Sequence, residues 1–221
     1  MPERTRYKIE KRPLYRDEIK SALMDAITSG ELKPGDRIIE TRWAKELGVS
    51  QSPIREAIRE LELIGVVESI PYKGSVVRQI TRKEIEDTYK VRIALESMAI
   101  VDAIRINDPS VIESMKKSLK GMISSAESGD IKNFVENDVR FHEAFINISD
   151  NEVMKRLWKQ CYVYDNTKLS AMLSGDSIVE LAKRHEMLLT AIENRNEESG
   201  RNEVYMHFKM LLNSMKAADD D

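Results

Sequence analysis

Residues 46–77, ELGVSQSPIREAIRELELIGVVESIPYKGSVV, restrict the possible folds more than any other stretch of the chain. They read as the end of one helix, a tight turn at Gly48-Val49, a second helix, and two short strands joined by Pro71-Tyr72-Lys73-Gly74. Ser50 stands where an N-cap hydroxyl can hold a free N–H of the second helix. Pro53 falls in that helix's first turn, where its missing N–H breaks no intrahelical bond. Ile54, Ala57, Ile58 and Leu61 recur at helical spacing and turn inward. That leaves Gln51, Ser52, Arg55 and Arg59 pointing outward near the helix start. A helix-turn-helix with such a second helix is shaped to enter a DNA major groove. The same pattern also suits an ordinary helical hairpin with a solvated charged face.

Upstream, residues 1–12 read as a basic flexible arm. Tyr15, Ile19, Leu23 and Ile27 make the inward stripe of a first helix, stopped by Gly30 and a Lys33-Pro34-Gly35-Asp36 turn. Residues 41–47 form a short second helix with Trp43, Ala44 and Leu47 inward. Residues 13–78 therefore predict a winged helix: three helices and a terminal hairpin. Residues 1–80 hold 15 Lys+Arg against 13 Asp+Glu, and the rest 20 against 25. A mildly basic head on an acidic body suits DNA binding by the head alone. With 33% charged and 6% aromatic residues, the chain reads as helix-rich with long solvated faces. It holds no apolar run long enough to cross a bilayer and no secretory leader pattern. Cys161 is the single cysteine, so no intrachain disulfide is possible. A cytoplasmic protein without membrane contact is the expectation.

Residues 79–83 read as a linker, and Thr81-Arg82-Lys83-Glu84 has the form of a capping box opening a new helix. Residues 84–216 then read as an antiparallel bundle of six helices, followed by an acidic tail at 217–221. Ile85, Val91, Leu95 and Met98 mark the first of these. Asp108-Pro109 opens the second, and Gly129-Asp130 separates it from a third over 131–148. Asp150-Asn151 opens a fourth, running to 173. Ser174-Gly175-Asp176 breaks it before a fifth over 178–194, and a sixth covers 197–216. The chain's three histidines all lie in this body. Asp138 and His142 share one face of the third helix. His185 and His207, 22 residues apart, straddle a helix turnaround and can sit at similar height. Phe141, Phe145, Met187, Leu188, Met206 and Phe208 supply apolar walls. One carboxylate and three imidazoles form a donor set for Zn²⁺, Ni²⁺, Co²⁺ or Mn²⁺, with positions left for a ligand. Each histidine taken singly also reads as a hydrogen-bonded packing residue.

Together these regions resemble the GntR family of bacterial transcription regulators, in the FadR subfamily with an all-helical ligand domain (FCD), and its six-helix VanR-like branch. Residues 27–36, ITSGELKPGD, are similar to the family's I-x-x-G-x-L-x-P-G-[DE]. Residues 47–57, LGVSQSPIREA, are similar to L-G-V-S-R-T-P-[VI]-R-E-A. Arg92-Ile93-Ala94-Leu95-Glu96 resembles the R-x-x-L-E of the FCD bundle, and Asp138, His142, His185 and His207 match its metal motif.

The resemblance implies a homodimer, its winged helices on a roughly palindromic double-stranded operator, and a small organic acid effector that reaches the metal. It implies DNA contacts from Arg42, Ser50, Gln51, Ser52 and Arg55, with Lys73 and Gly74 at the wing tip. Arg55 is the strongest candidate for a guanine contact, because its planar fork matches two acceptors. Gln51 departs from the family's arginine. Arg92, and more weakly Tyr89, are candidates for the effector carboxylate; Arg92 could equally pair with Glu96 four residues on. No enzyme is expected. A metal-dependent hydrolase built on the Asp/His₃ set, and a regulator whose metal is purely structural, are the competing readings.

Overall fold

The computed structural model describes residues 14–79, 81–173 and 178–214. The predicted arm at 1–12, the acidic tail at 217–221 and the break at Ser174-Gly175-Asp176 lie outside the described residues. The chain divides into two compact units, residues 1–80 and residues 81–221.

In the first unit, α1 (Leu14–Thr28), α2 (Glu40–Glu46) and α3 (Gln51–Leu63) precede an antiparallel hairpin of β1 (Val67–Ile70) and β2 (Gly74–Val77). Ile19, Leu23, Trp43, Ile54, Ala57, Leu61 and Val77 meet in one core, so the helical stripes read from the sequence face each other. Burying a side chain of this size contributes about 1.5–3 kcal/mol. The strands pair Val67 with Val77 and Ile70 with Gly74. Tyr72 and Gly74 close the turn at positive φ, 65° and 82°, a region that glycine enters without strain. Two details differ from the sequence reading. The Ser50 side chain makes no cap hydrogen bond, so the first N–H groups of α3 have no side-chain partner there. Leu47, at the C-cap of α2, is 37% exposed rather than inward. The turn at 33–36 also does more than reverse the chain: Gly35 N–H donates to Val77 O, and Ile38 N–H to Ser75 O, adding a short third rung beside β2.

The second unit is helical. α4 (Arg82–Ile106) opens on the capping box, with Glu84 N–H donating to Thr81 Oγ1 and Thr81 N–H to Glu84 Oε2. α5 (Pro109–Ser128) and α6 (Ile131–Ile148) follow, capped by Asp108 and Asp130. The fourth predicted run is broken into α7 (Glu152–Gln160) and α8 (Val163–Leu173), where Tyr162 adopts φ 45°. The fifth is interrupted at Arg184, between α9 (Ile178–Lys183) and α10 (His185–Glu193). α11 (Glu197–Ser214) packs on α4; a Cβ on its Gly200 would lie 2.5 Å from Ile104 Cδ1, so a larger residue there would have to displace the Ile104 side chain. The predicted stripe of α4 needs correction. Val91 and Met98 are about half exposed, and the buried face carries Ile85, Tyr89, Arg92, Glu96 and Ile100. Two charged residues occupy core positions, which conceals the face from an apolar pattern. Met187 and Met206 likewise sit at the surface rather than walling the histidines, while Phe141, Phe145, Leu188 and Phe208 are buried. Among the described residues no helix is long and apolar enough to cross a membrane.

Candidate functional site

Three helices bring the histidines together inside the second unit. α6 carries Asp138 and His142 one turn apart, α10 begins with His185, and α11 supplies His207; all are buried. One nitrogen from each histidine lies within 4.8 Å of the other two. His142 Nε2 is 3.1 Å from His185 Nε2, and Asp138 Oδ2 is also 3.1 Å from His185 Nε2. Asp138 thus touches the cluster through His185 and stands outside the triple that is mutually within 4.8 Å.

The partners on the far side of each ring fix its orientation. His142 Nδ1 lies 2.7 Å from Glu96 Oε2, and His185 Nδ1 lies 3.1 Å from the carbonyls of both Leu181 and Ala182. Each Nδ1 faces only acceptors and carries the ring proton. Both Nε2 atoms then direct lone pairs at each other, with a carboxylate oxygen beside them. Three acceptors in contact need a positive charge between them, either an extra proton or a metal ion. His207 Nδ1 is buried with no hydrogen-bond partner. Burial first, then the neighbouring histidines, hold the His207 imidazole well below its usual range, keeping it neutral. The donor set and the acceptors behind its rings fit a divalent transition metal.

Glu96, which the sequence reading treated only as a partner for Arg92, is the hub behind the cluster. Its carboxylate accepts from Arg92 Nε at 2.9 Å, Trp158 Nε1 at 2.8 Å and His142 Nδ1. Burial opposes its ionisation, but Arg92 and His142 with their hydrogen bonds outweigh that, holding it down to about 2. Asp138 is also held to about 2, against burial, by its 3.1 Å contact with His185 Nε2 and the positive charge that the cluster requires. A cavity of about 20 Å³ opens beside the histidines, lined by Asp138, Thr167, Ser170, Arg184, His185 and His207 among others. That is room for about one water or one ion. Arg92 and Tyr89 do not line it. Arg92 is paired with Glu96 and donates to Thr167 at 3.4 Å, while Tyr89 shares a 2.7 Å hydrogen bond with Ser170. Both stand one layer behind the cavity wall, and Arg92 Nη2 is buried without a partner. Arg184, Thr167 and Ser170 were missed in the sequence; the Arg184-His185 adjacency was the available signal.

In the first unit, Ser50, Gln51, Ser52 and Arg55 are all exposed at the start of α3, as the sequence reading places them. The uncapped N–H groups of that turn are free for a phosphate oxygen. Arg55 is paired with Glu40, and Arg42 with Glu46 and Glu31. Lys73 and Tyr72 are exposed at the wing tip. Gly74 has a local reason to be glycine: at φ 82° a Cβ would also lie 3.3 Å from Arg37 Nε. Arg37, exposed and bridged to Val76, is a wing-side cation that the sequence pattern did not single out.

A three-helix head with a hairpin wing and an exposed, polar recognition helix, followed in the chain by a helical body that buries a histidine cluster, defines a winged-helix DNA-binding regulator. Comparison with known proteins reaches the same class. Residues 15–77 match the family described as bacterial regulatory proteins, gntR family, and residues 87–210 match the FCD domain. The chain is 30% identical over 206 residues to the uncharacterized HTH-type transcriptional regulator YdhC of Bacillus subtilis, covering 91% of each. It is 28% identical over 195 residues to a probable D-xylose utilization operon transcriptional repressor of Paenarthrobacter nicotinovorans, covering 88% of this chain and 86% of that one. Among solved structures, E. coli McbR/YncC aligns with a TM-score of 0.66 at 19% identity, covering 90% and 97%. The chain belongs to the GntR family of bacterial transcription regulators and carries its FCD domain.

Proposed function

We propose that the protein is a cytoplasmic repressor that binds a roughly palindromic operator as a homodimer and is released or engaged by a small organic acid. In this reading His142, His185 and His207, with Asp138 completing the set, hold one divalent transition metal, with Zn²⁺ the first choice and Ni²⁺, Co²⁺ or Mn²⁺ the alternatives. The metal supplies a Lewis-acidic point for an effector carboxylate. Glu96, Leu181 O and Ala182 O hold the rings so that their Nε2 atoms face the ion. Arg184, Thr167 and Ser170 offer the donors that would orient the acid. The observation that carries the reading is the pair of imidazole nitrogens meeting at 3.1 Å with Asp138 beside them. The repressor in the name of the Paenarthrobacter nicotinovorans relative supports repression as the output.

The test is operator enrichment from a randomised duplex pool with metal-loaded protein, then titration of that DNA against a panel of short mono- and dicarboxylates. At least one acid should shift DNA affinity in the loaded protein and none in the chelated protein. The cavity of about 20 Å³ favours one competing reading, a purely structural metal. There, chelation would lower the melting temperature of the body while no acid moved DNA affinity.

A further inference from the structure

Arg55 does not reach solvent as a free cation. Its Nε donates to Glu40 Oε1 at 3.2 Å and its Nη2 to Glu40 Oε2 at 2.8 Å, across 15 residues of chain. Glu40 is the first residue of α2, and Arg55 lies in the second turn of α3. The two helices are locked by Trp43 and Ala44 against Ile54, Ala57 and Ile58 in the core. The packing therefore sets the two helix backbones so that the Glu40 and Arg55 side chains, 29% and 53% exposed, face each other. A guanidinium has two edges that can donate in parallel. Glu40 occupies the side edge, Nε with Nη2, and the end edge, Nη1 with the second hydrogen of Nη2, makes no hydrogen bond among the described residues.

From this geometry we infer that Glu40 is a specificity-determining positioning residue, which clamps Arg55 so that its end edge reads a guanine. The inference rests on the reading of α3 as the helix that enters the major groove. Guanine presents O6 and N7 as two acceptors there, while adenine presents one acceptor and one donor. A clamped fork cannot swivel to accommodate the second pattern. The clamp also neutralises Arg55, and a neutral pair adds nothing to the counterion release that drives sequence-independent binding. An unclamped arginine would grip any phosphate within reach. Glu40 thus trades general affinity for discrimination, a form of specificity built on disfavouring wrong partners.

The experiment uses the full chain and two duplex probes: one enriched by the wild-type protein from a randomised pool, and one scrambled duplex of the same length. Glu40→Gln keeps the shape and removes the charge; Glu40→Asp keeps the charge and shortens the reach. For E40Q, preference for guanine at the Arg55 position should fall by about tenfold, the lower part of what a bidentate contact discriminates. Binding to the scrambled duplex should tighten, with a log–log salt slope steeper by about one. E40D should lose guanine preference while its scrambled-duplex affinity stays near wild type. In an Arg55→Ala background, E40Q should leave the guanine preference unchanged. An unchanged guanine preference in E40Q, or an equal loss on both duplexes, would overturn the clamp. A wild-type protein that enriches no motif would instead refute sequence reading by α3, and the clamp with it.

Discussion

Glu96→Gln exchanges one oxygen for nitrogen at a position with 0% exposure. The carboxylate now receives Arg92 Nε at 2.9 Å, Trp158 Nε1 at 2.8 Å and His142 Nδ1 at 2.7 Å. A glutamine has one acceptor oxygen for three donors, turns an NH₂ toward at least one of them, and leaves the Arg92 charge without a counter-charge. Removing one partner of a buried ion pair costs about 3–5 kcal/mol. The ionisation of Glu96 gives a second route. A fall from 4.5 to about 2 on folding corresponds to about 3 kcal/mol. The sign follows from the depressed folded value: this stabilisation is present above the ordinary carboxylate range and is lost as pH falls from about 4.5 toward about 2. Urea unfolding of the metal-free protein, in a Trp43→Phe background so that Trp158 alone reports on the body, measures it. E96Q should lower the midpoint by the equivalent of about 3 kcal/mol at neutral pH, and the deficit should shrink as pH drops. Arg92→Met combined with E96Q should cost about 1–3 kcal/mol less than the two single changes added. A loss under about 1 kcal/mol, or strict additivity, would refute the buried hub.

Other consequences follow from local geometry. Thr81→Ala removes the hydroxyl that accepts from Glu84 N–H and should cost the body about 1 kcal/mol in urea unfolding. Gly200→Ala drives a methyl into Ile104 and should destabilise by about 1–2 kcal/mol, with much of that recovered by adding Ile104→Val. His207→Leu removes a buried nitrogen that has no partner. Without metal the variant should therefore melt no earlier than wild type, by a margin of up to about 1–3 kcal/mol in its favour, while losing any melting shift caused by Zn²⁺.

The head was readable because its signals are local. Gly48, Pro53 and the four inward residues of α3 determine the turn and the buried stripe without help from distant residues. The body's breaks were harder to see. Cys161-Tyr162 and Arg184 carry no glycine or proline, so nothing marks the interruptions there; the sequence reading ran helices through both. The histidines were found from their count and spacing, yet their convergence depends on three helices packing at one height, which spacing cannot show. Arg92 and Glu96 were read as a pair with an open question between effector contact and ion pair. The ion pair is formed, and the residue that ties it to His142 and Trp158 is Glu96. Charged residues on an inward face defeat an apolar pattern, which is why Val91 and Met98 were placed inside and Glu96 was not. Arg37 and Glu40 were overlooked for a related reason: their roles come from contacts across the unit, with Gly74 and with Arg55.

The most direct test of the account is metal content and melting temperature measured together on wild type, His142→Ala and His185→Ala after chelation and reloading with Zn²⁺. Wild type should retain stoichiometric metal through buffer exchange and melt higher, by the equivalent of about 2.7 kcal/mol at a hundredfold excess over the dissociation constant. Both variants should retain none and show no shift. Wild-type protein that keeps no metal and melts at the same temperature with and without Zn²⁺ would contradict the account, leaving a proton to hold the imidazoles together.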